Sequence, residues 1–262
     1  MYHSVTFGSM NSFSDWHLVP DGRPVIAMPE PKIVTVDIPG RNGILDLSES
    51  IRKFPVYSNR SGSLKFHVLN DKGIGWQELY RQIANYVHGR RMNVYLEDEP
   101  EWYYTGRVNV ASWTSNNDGT WSDIEFNYDL EPFKYYYHTT INDGWLWDPF
   151  NFFSGYIIGN RLKDIKVNST SYTKLDLTDL VGRMPLNPKF VVTSSTGVDF
   201  RIYNKELGLD ITKTKLTSGT HEWPEVILSE VNYGNEIYIQ YKASYSSGIG
   251  SSFSLDYRVG SL

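Results

Sequence analysis

The sequence predicts a mainly β protein of two domains: an N-terminal β-sheet domain carrying one α-helix, and a C-terminal antiparallel β-sandwich. Three observations predict it. Aromatic residues make up 15 % of the 262 residues, with 19 Tyr and 8 Trp, and such side chains favour pleated, half-buried surfaces. Period-2 alternation of apolar and polar residues recurs along the chain, whereas a 3.6-residue period occurs once. The length exceeds the roughly 100 to 200 residues of an ordinary domain. Two domains are therefore expected, 1–135 and 136–262, divided at EPFKYYYHTT (Glu131 to Thr140), where regular alternation lapses.

The first expected strand is KIVTVD (Lys32 to Asp37), closed by the turn signals of IPGRNG. LKFHVL (Leu64 to Leu69) alternates Leu64, Phe66 and Val68 with Lys65 and His67, so His67 should face solvent or a neighbour. Trp76, Leu79, Tyr80, Ile83, Tyr86 and Val87 then follow the i, i+3, i+4, i+7 rule of an amphipathic helix. His88-Gly89 should end it, because glycine accepts the left-handed conformation that closes a helix, and Arg90 and Arg91 follow near the negative end of its dipole. RMNVYL (Arg91 to Leu96), WYYTGRVNV (Trp102 to Val110), Val108 to Thr114 and Trp121 to Tyr128 read as further strands, the last two flanking an SNNDG turn. Beyond Thr140 come short runs separated by Gly, Asn and Ser: WLW (145–147), YII (156–158), DIKV (164–167), PKFVVTS (188–194), DFRIYN (199–204), EVILSE (225–230), EIYIQYK (236–242) and SFSLDYRVG (252–260). Short strands at such spacing are the pattern of a sandwich.

Composition removes several functional classes. The chain has no cysteine, which excludes disulfides, thiolate metal sites and a cysteine nucleophile. With 25 basic and 30 acidic residues the net charge is -5, not the cationic footprint that sequence-specific or backbone-led nucleic-acid binding requires. The opening MYHSVTFGSMNSFSDW lacks a basic segment followed by an apolar one, and no run approaches 18 apolar residues, so neither a secretion signal nor membrane insertion is expected.

Motifs for chemistry are weak. The six histidines are scattered, with no HxH or HxxxH spacing, and neither a G-x-S-x-G elbow nor a phosphate-binding glycine loop occurs. No metal or cofactor is expected. Glu97, Asp98, Glu99 and Glu101 crowd around Pro100; a glycan hydrolase would draw its two carboxylates from such a group, Glu99 and Glu101 for example, but a solvated turn explains it better. Asn116-Asn117-Asp118-Gly119 lacks the closing ligands of a calcium loop and reads as a turn. Trp145, Trp147 and Trp223 could stack on sugars, the basis of an alternative reading as a cell-wall carbohydrate-binding module, although core packing is the commoner role for such residues.

Taken in order, DW (Asp15, Trp16), IPGRNGILDLSES (Ile38 to Ser50), VYSNRSGSLKFHV (Val56 to Val68), WQELYRQIANYVHGR (Trp76 to Arg90) and MNVYLEDEPEWYYTGRV (Met92 to Val108) form a set that resembles the siphophage distal tail proteins, Dit. The resemblance covers the first half of the chain; the second half is similar to the family's galectin-like sandwich only in strand pattern and in the ending SFSLDYRVGSL.

The resemblance implies a structural hub in the virion tail tip, made in the cytoplasm of the infected bacterium, and not an enzyme. Six copies would form a homohexameric ring around a DNA channel, single or paired, with N-terminal domains as the belt. The implied partners are the tail tube protein, the tail-associated tip protein and receptor-binding or baseplate proteins that mediate host adhesion. The family's larger members insert carbohydrate-binding modules, for which this chain has no room, and no H-x-N-x-R sugar motif is present. Arg81, Arg90, Arg91 and Arg107 are the expected inter-subunit cations, since Arg meets carboxylates in bidentate pairs at interfaces. The loop from Asp71 to Gly75 is the expected neighbour contact.

Overall fold

The computed structural model describes residues 2–50, 54–69, 75–115, 121–136, 162–177, 184–204, 208–228, 238–256 and 260–262. The chain divides into two compact units, Met1–Tyr137 together with Leu262, and His138–Ser261.

In the first unit the strands are β1 (Val5–Phe7), β2 (Met10–Asn11), β3 (Leu18–Pro20), β4 (Thr35–Asp37), β5 (Ile44–Asp46) and β6 (Arg60–Val68). After helix α1 (Trp76–Val87) come β7 (Arg90–Leu96), β8 (Trp102–Ser115), β9 (Ser122–Leu130) and β10 (Lys134–Tyr136). Antiparallel pairing orders one sheet β2-β1-β7-β8-β9-β6-β3, with β10 also beside the start of β8. Strands β4 and β5 pair only with each other, forming an exposed arm.

The period-2 pattern does what the sequence demands. Leu64, Phe66 and Val68 of β6 and Ile124, Phe126, Tyr128 and Leu130 of β9 are buried, while Lys65 and His67 face outward. Helix α1 begins and ends where its apolar period does, and its Leu79, Ile83 and Val87 join the core built on Phe7, Phe66 and Phe126. Phe7 and Phe66 lie 4.9 and 5.5 Å from the Phe126 ring. Gly89, at φ +77°, turns the chain from α1 into β7 and donates to the Val108 carbonyl. Gly106 is obligatory for a different reason: a Cβ there would lie 2.2 Å from the Asp129 carbonyl oxygen of β9.

The second unit has β11 (Ile165–Lys166), β12 (Thr173–Lys174), β13 (Lys189–Thr193), β14 (Val198–Asn204), β15 (Leu209–Leu216), β16 (Gly219–Glu222), β17 (Tyr238–Ala243) and β18 (Ser252–Asp256). They form two four-stranded antiparallel sheets, β11-β18-β13-β16 and β12-β17-β14-β15. Phe190 of the first and Phe200 of the second meet at 4.5 Å, with Phe253, Trp223 and Ile239 in the same core, so the sheets bury their inner faces against each other as a sandwich. Three details differ from the sequence expectation. Residues 225–228 form no strand; Leu228 makes a single bridge to Leu186. Strands β15 and β16 occupy a stretch with no apolar run, because edge strands rich in Thr and Lys need only one half-buried face. At the other end of the chain, β1 to β3 build two edges of the first sheet out of the short apolar pairs of the opening residues. The expected strands at 145–147 and 156–158 lie outside the described residues.

Candidate assembly surface

The acidic turn between β7 and β8 is a tie point, not a solvated loop. Glu97 accepts from the Ser4 backbone N–H at 2.7 Å. Asp98 takes His3 Nδ1 at 2.8 Å and Arg23 Nε at 2.7 Å, and these two partners, His3 foremost, hold its carboxyl below the usual carboxylate range. Glu99 pairs with the Lys134 ammonium of β10 at 3.1 Å. The turn thereby gathers the N-terminal segment, residue 23 and β10, with Glu97, Asp98 and Glu99 engaged as anchors.

Arg60, the first residue of β6, is only 1 % exposed. Its Nε donates to the Pro132 carbonyl at 2.8 Å and its Nη1 to the Ala27 carbonyl at 2.9 Å, while the guanidinium lies 5.4 Å from the centre of the Tyr104 ring. Burial pushes this guanidinium down, opposed by Tyr104, Tyr128 and Glu99. Burial likewise pushes the Tyr104 hydroxyl up to about 12. Ala27 is held from both sides, since its N–H donates to the Tyr128 hydroxyl at 2.9 Å. Next, residues 30 and 32 are pinned to 56–58 by backbone bonds from Lys32 to Val56 and from Ser58 to Glu30. From this clamp the β4–β5 arm projects with Ile33, Val34, Val36 and Ile44 exposed. Beside the clamp lies a cleft of about 380 Å³ lined by Arg23, Val25, Met28, Arg60, Leu96 and Lys134 among others.

On the open, polar face of the large sheet, Arg91 of β7, Arg107 of β8, Asp129 of β9 and Ser61 of β6 stand in one cross-strand row. Arg91 pairs with Glu131, which also accepts from the Tyr135 hydroxyl. Arg107 Nη1 donates to the Gly89 carbonyl at 2.8 Å. Arg90 is exposed at the start of β7, and Arg81 pairs with Glu78 on the outer face of α1. Gly75 is the residue before α1 and gives it no side-chain cap. Asp71 lies outside the described residues, as do Trp145 and Trp147. Trp223 is fully buried in the second core, with Phe190 against it and Lys213 Nζ 4.6 Å from its ring centre. Further along the open face, His67 Nδ1 meets Asp123 at 2.6 Å and Nε2 meets Asp21 at 2.9 Å, and these carboxylates, Asp123 first, raise its pKa. Sequence reasoning misses Arg60 and the exposure of the arm; the only trace of the latter is the apolar content of Ile33 to Ile44.

Among the described residues no three His, Cys, Asp or Glu side chains converge as metal ligands, and no helix is long and apolar enough to cross a membrane.

No protein-family profile matches the chain, and no curated protein does. Among solved structures the chain is similar to the crystal structure of SPP1 Dit (gp 19.1), described as a paradigm of the hub adsorption apparatus in phages infecting Gram-positive bacteria. The likeness covers 100 % of both chains at 14 % identity with a TM-score of 0.53. From end to end, then, this chain has the fold of that phage hub protein.

Proposed function

We propose that the chain is the distal tail hub of a siphophage: a virion structural protein, not an enzyme, whose N-terminal domain (1–135) forms the belt of a homohexameric ring around a DNA channel. The observation that carries this reading is the full-length likeness to SPP1 Dit, which coincides with the motif set running from Asp15 to Val108. The C-terminal domain (136–262), a galectin-like sandwich, serves receptor-binding or baseplate proteins. The ring's two faces meet the tail tube protein and the tail-associated tip protein.

The concentration of exposed apolar side chains on the arm supports an assembling protein, because soluble monomers rarely leave such a patch uncovered. Light scattering during size exclusion tests the ring. One chain weighs 30.2 kDa, so a single ring should show six times that mass and paired rings twelve times. A monomer's mass at every accessible concentration overturns the ring.

A further inference from the structure

The loop at the tip of the β4–β5 arm holds Asn42-Gly43, the sole Asn-Gly of the chain. An asparagine carboxamide is attacked by the peptide nitrogen that follows it when approach is open, the nitrogen is free and both can turn. Gly43 leaves the approach open, having no Cβ and nothing within 4 Å of where one would stand. Its N–H has no acceptor among the described residues, whereas the nearby Arg41 N–H donates to the Ile38 carbonyl at 3.0 Å. Asn42 is exposed, and its side chain makes no hydrogen bond among the described residues. The backbone around it is held only by two strands that pair with each other and no further sheet, and a two-stranded hairpin in water is marginally stable.

Asp21-Gly22, the other Asx-Gly pair among the described residues, is restrained where Asn42-Gly43 is free. The Asp21 N–H donates to the Lys65 carbonyl at 3.0 Å and its carboxylate meets His67 Nε2 at 2.9 Å. An ionised carboxylate is also a far poorer electrophile than a neutral carboxamide. The chemistry therefore concentrates at Asn42.

We propose that Asn42 is a site of spontaneous modification in the folded protein. The Gly43 nitrogen, having lost its proton to hydroxide, bonds to Asn42 Cγ; the Cγ–Nδ2 bond breaks, Nδ2 leaves as ammonia, and a five-membered succinimide closes. Water then adds to one of the two ring carbonyls and opens the ring as aspartate or as isoaspartate. Nothing is oxidised or reduced, and water is the only co-reactant. Either product takes the chain's net charge from -5 to -6 and sets a carboxylate at the tip of an arm whose Ile33, Val34, Val36 and Ile44 are exposed. Isoaspartate also adds a methylene to the loop whose length fixes the pairing of Thr35, Val36 and Asp37 with Asp46, Leu45 and Ile44. An aged chain thus differs from a new one in the charge and the turn geometry of this arm.

Cleavage after lysine yields a peptide from Ile33 to Lys53 in which Asn42 is the only carboxamide side chain, so its mass reports on this site alone. Folded full-length protein held at pH 8.5 should convert the peptide into two products, each heavier by the exchange of NH2 for OH. One of them should accept a methyl group from an isoaspartate-specific methyltransferase, and conversion at pH 5.5 should be slower. The folded rate should lie within about threefold of the rate in urea, because a site that needs no local opening reacts as the unfolded chain does. Asn42→Gln, whose ring would need six members, should remain unconverted over the same period. A peptide that keeps its carboxamide at pH 8.5, a folded rate slower than the urea rate by more than that factor, or equal conversion of Asn42→Gln overturns the proposal.

Discussion

Single residues carry the fold's tightest constraints. Gly106 sits where β8 runs against β9, and any Cβ would enter the van der Waals shell of Asp129 O and Leu130 Cα, 2.2 and 2.5 Å away. Both obstacles are backbone, so neither can rotate aside. Gly106→Ala should destabilise the first unit by about 3 kcal/mol, the upper end of ordinary overpacking, read as a lowered denaturation midpoint; an unchanged midpoint would show that the strands can part at no cost. In the second unit the buried Asp199 accepts from the Lys215 backbone N–H at 2.8 Å and from Ser244 Oγ, and Lys242 lies 3.5 Å away. Lys215 is held at φ +58°, a conformation that disfavours side chains, and the Asp199 bond is what fixes it there. Asp199→Ala leaves two donors and an ammonium without their acceptor and should cost about 2 to 3 kcal/mol. Urea denaturation followed by tryptophan fluorescence measures it, and a loss below about 0.5 kcal/mol would mean that water replaces the carboxylate.

At the scale of elements, His67 links three of them: it lies on β6, meets Asp123 of β9 and reaches Asp21 just past β3. Its folded pKa is raised above the ordinary 6.5. The charged form is therefore favoured by folding, and the stabilisation is fully present below pH 6.5 and lost as pH rises through the raised value. The difference in melting temperature between the parent and His67→Gln should accordingly be larger at pH 5.5 than at pH 8.5; equal differences would show that the two carboxylates hold the ring regardless of its charge. His67 is also among the readable positions, since the alternation of Leu64, Phe66 and Val68 sends it outward. Helix α1 is readable to its last residue because a 3.6-residue period and a glycine stop reinforce each other. The roles of Asp98 and Arg60 are not. Asp98 is 95 residues from His3 and 75 from Arg23, and its local neighbours are all acidic or proline, so sequence near it speaks only of a solvated turn. A buried arginine is spelled like a surface one, and only tertiary contacts at Ala27 and Pro132 distinguish Arg60. The arm is legible as strand and turn, but not as exposed: Ile33 to Ile44 has the apolar content of core, and what leaves it bare is the lack of any sheet to join. Trp223 shows the converse, an aromatic that composition permits as a platform and the fold uses for packing.

For the whole molecule, charge opposes assembly. Each chain carries -5, so the proposed ring of six would carry 6 × -5, or -30, a self-repulsion to be overcome by apolar contact and by locally placed cations. The exposed arginines at the start of β7 and on β8 are the candidates for that role. Arg107 is the informative one, because within its own chain it makes one hydrogen bond, to a carbonyl already at a turn, and its removal leaves no buried group unpaired. Arg107→Glu changes each chain by -2 and a hexamer by -12. The ring should therefore weaken at ~0.1 M salt, where the screening length is about 10 Å, and recover in part at ~1 M, where it is about 3 Å. The monomer's melting temperature should stay within a degree or two, since exposed substitutions of this kind rarely move stability by more than about half a kcal/mol. Mass by light scattering at both salt concentrations separates the alternatives: recovery with salt marks repulsion across the whole ring, loss that salt does not reverse marks a specific carboxylate facing Arg107 on the neighbouring subunit, and an unaltered mass at low salt removes Arg107 from the subunit contact.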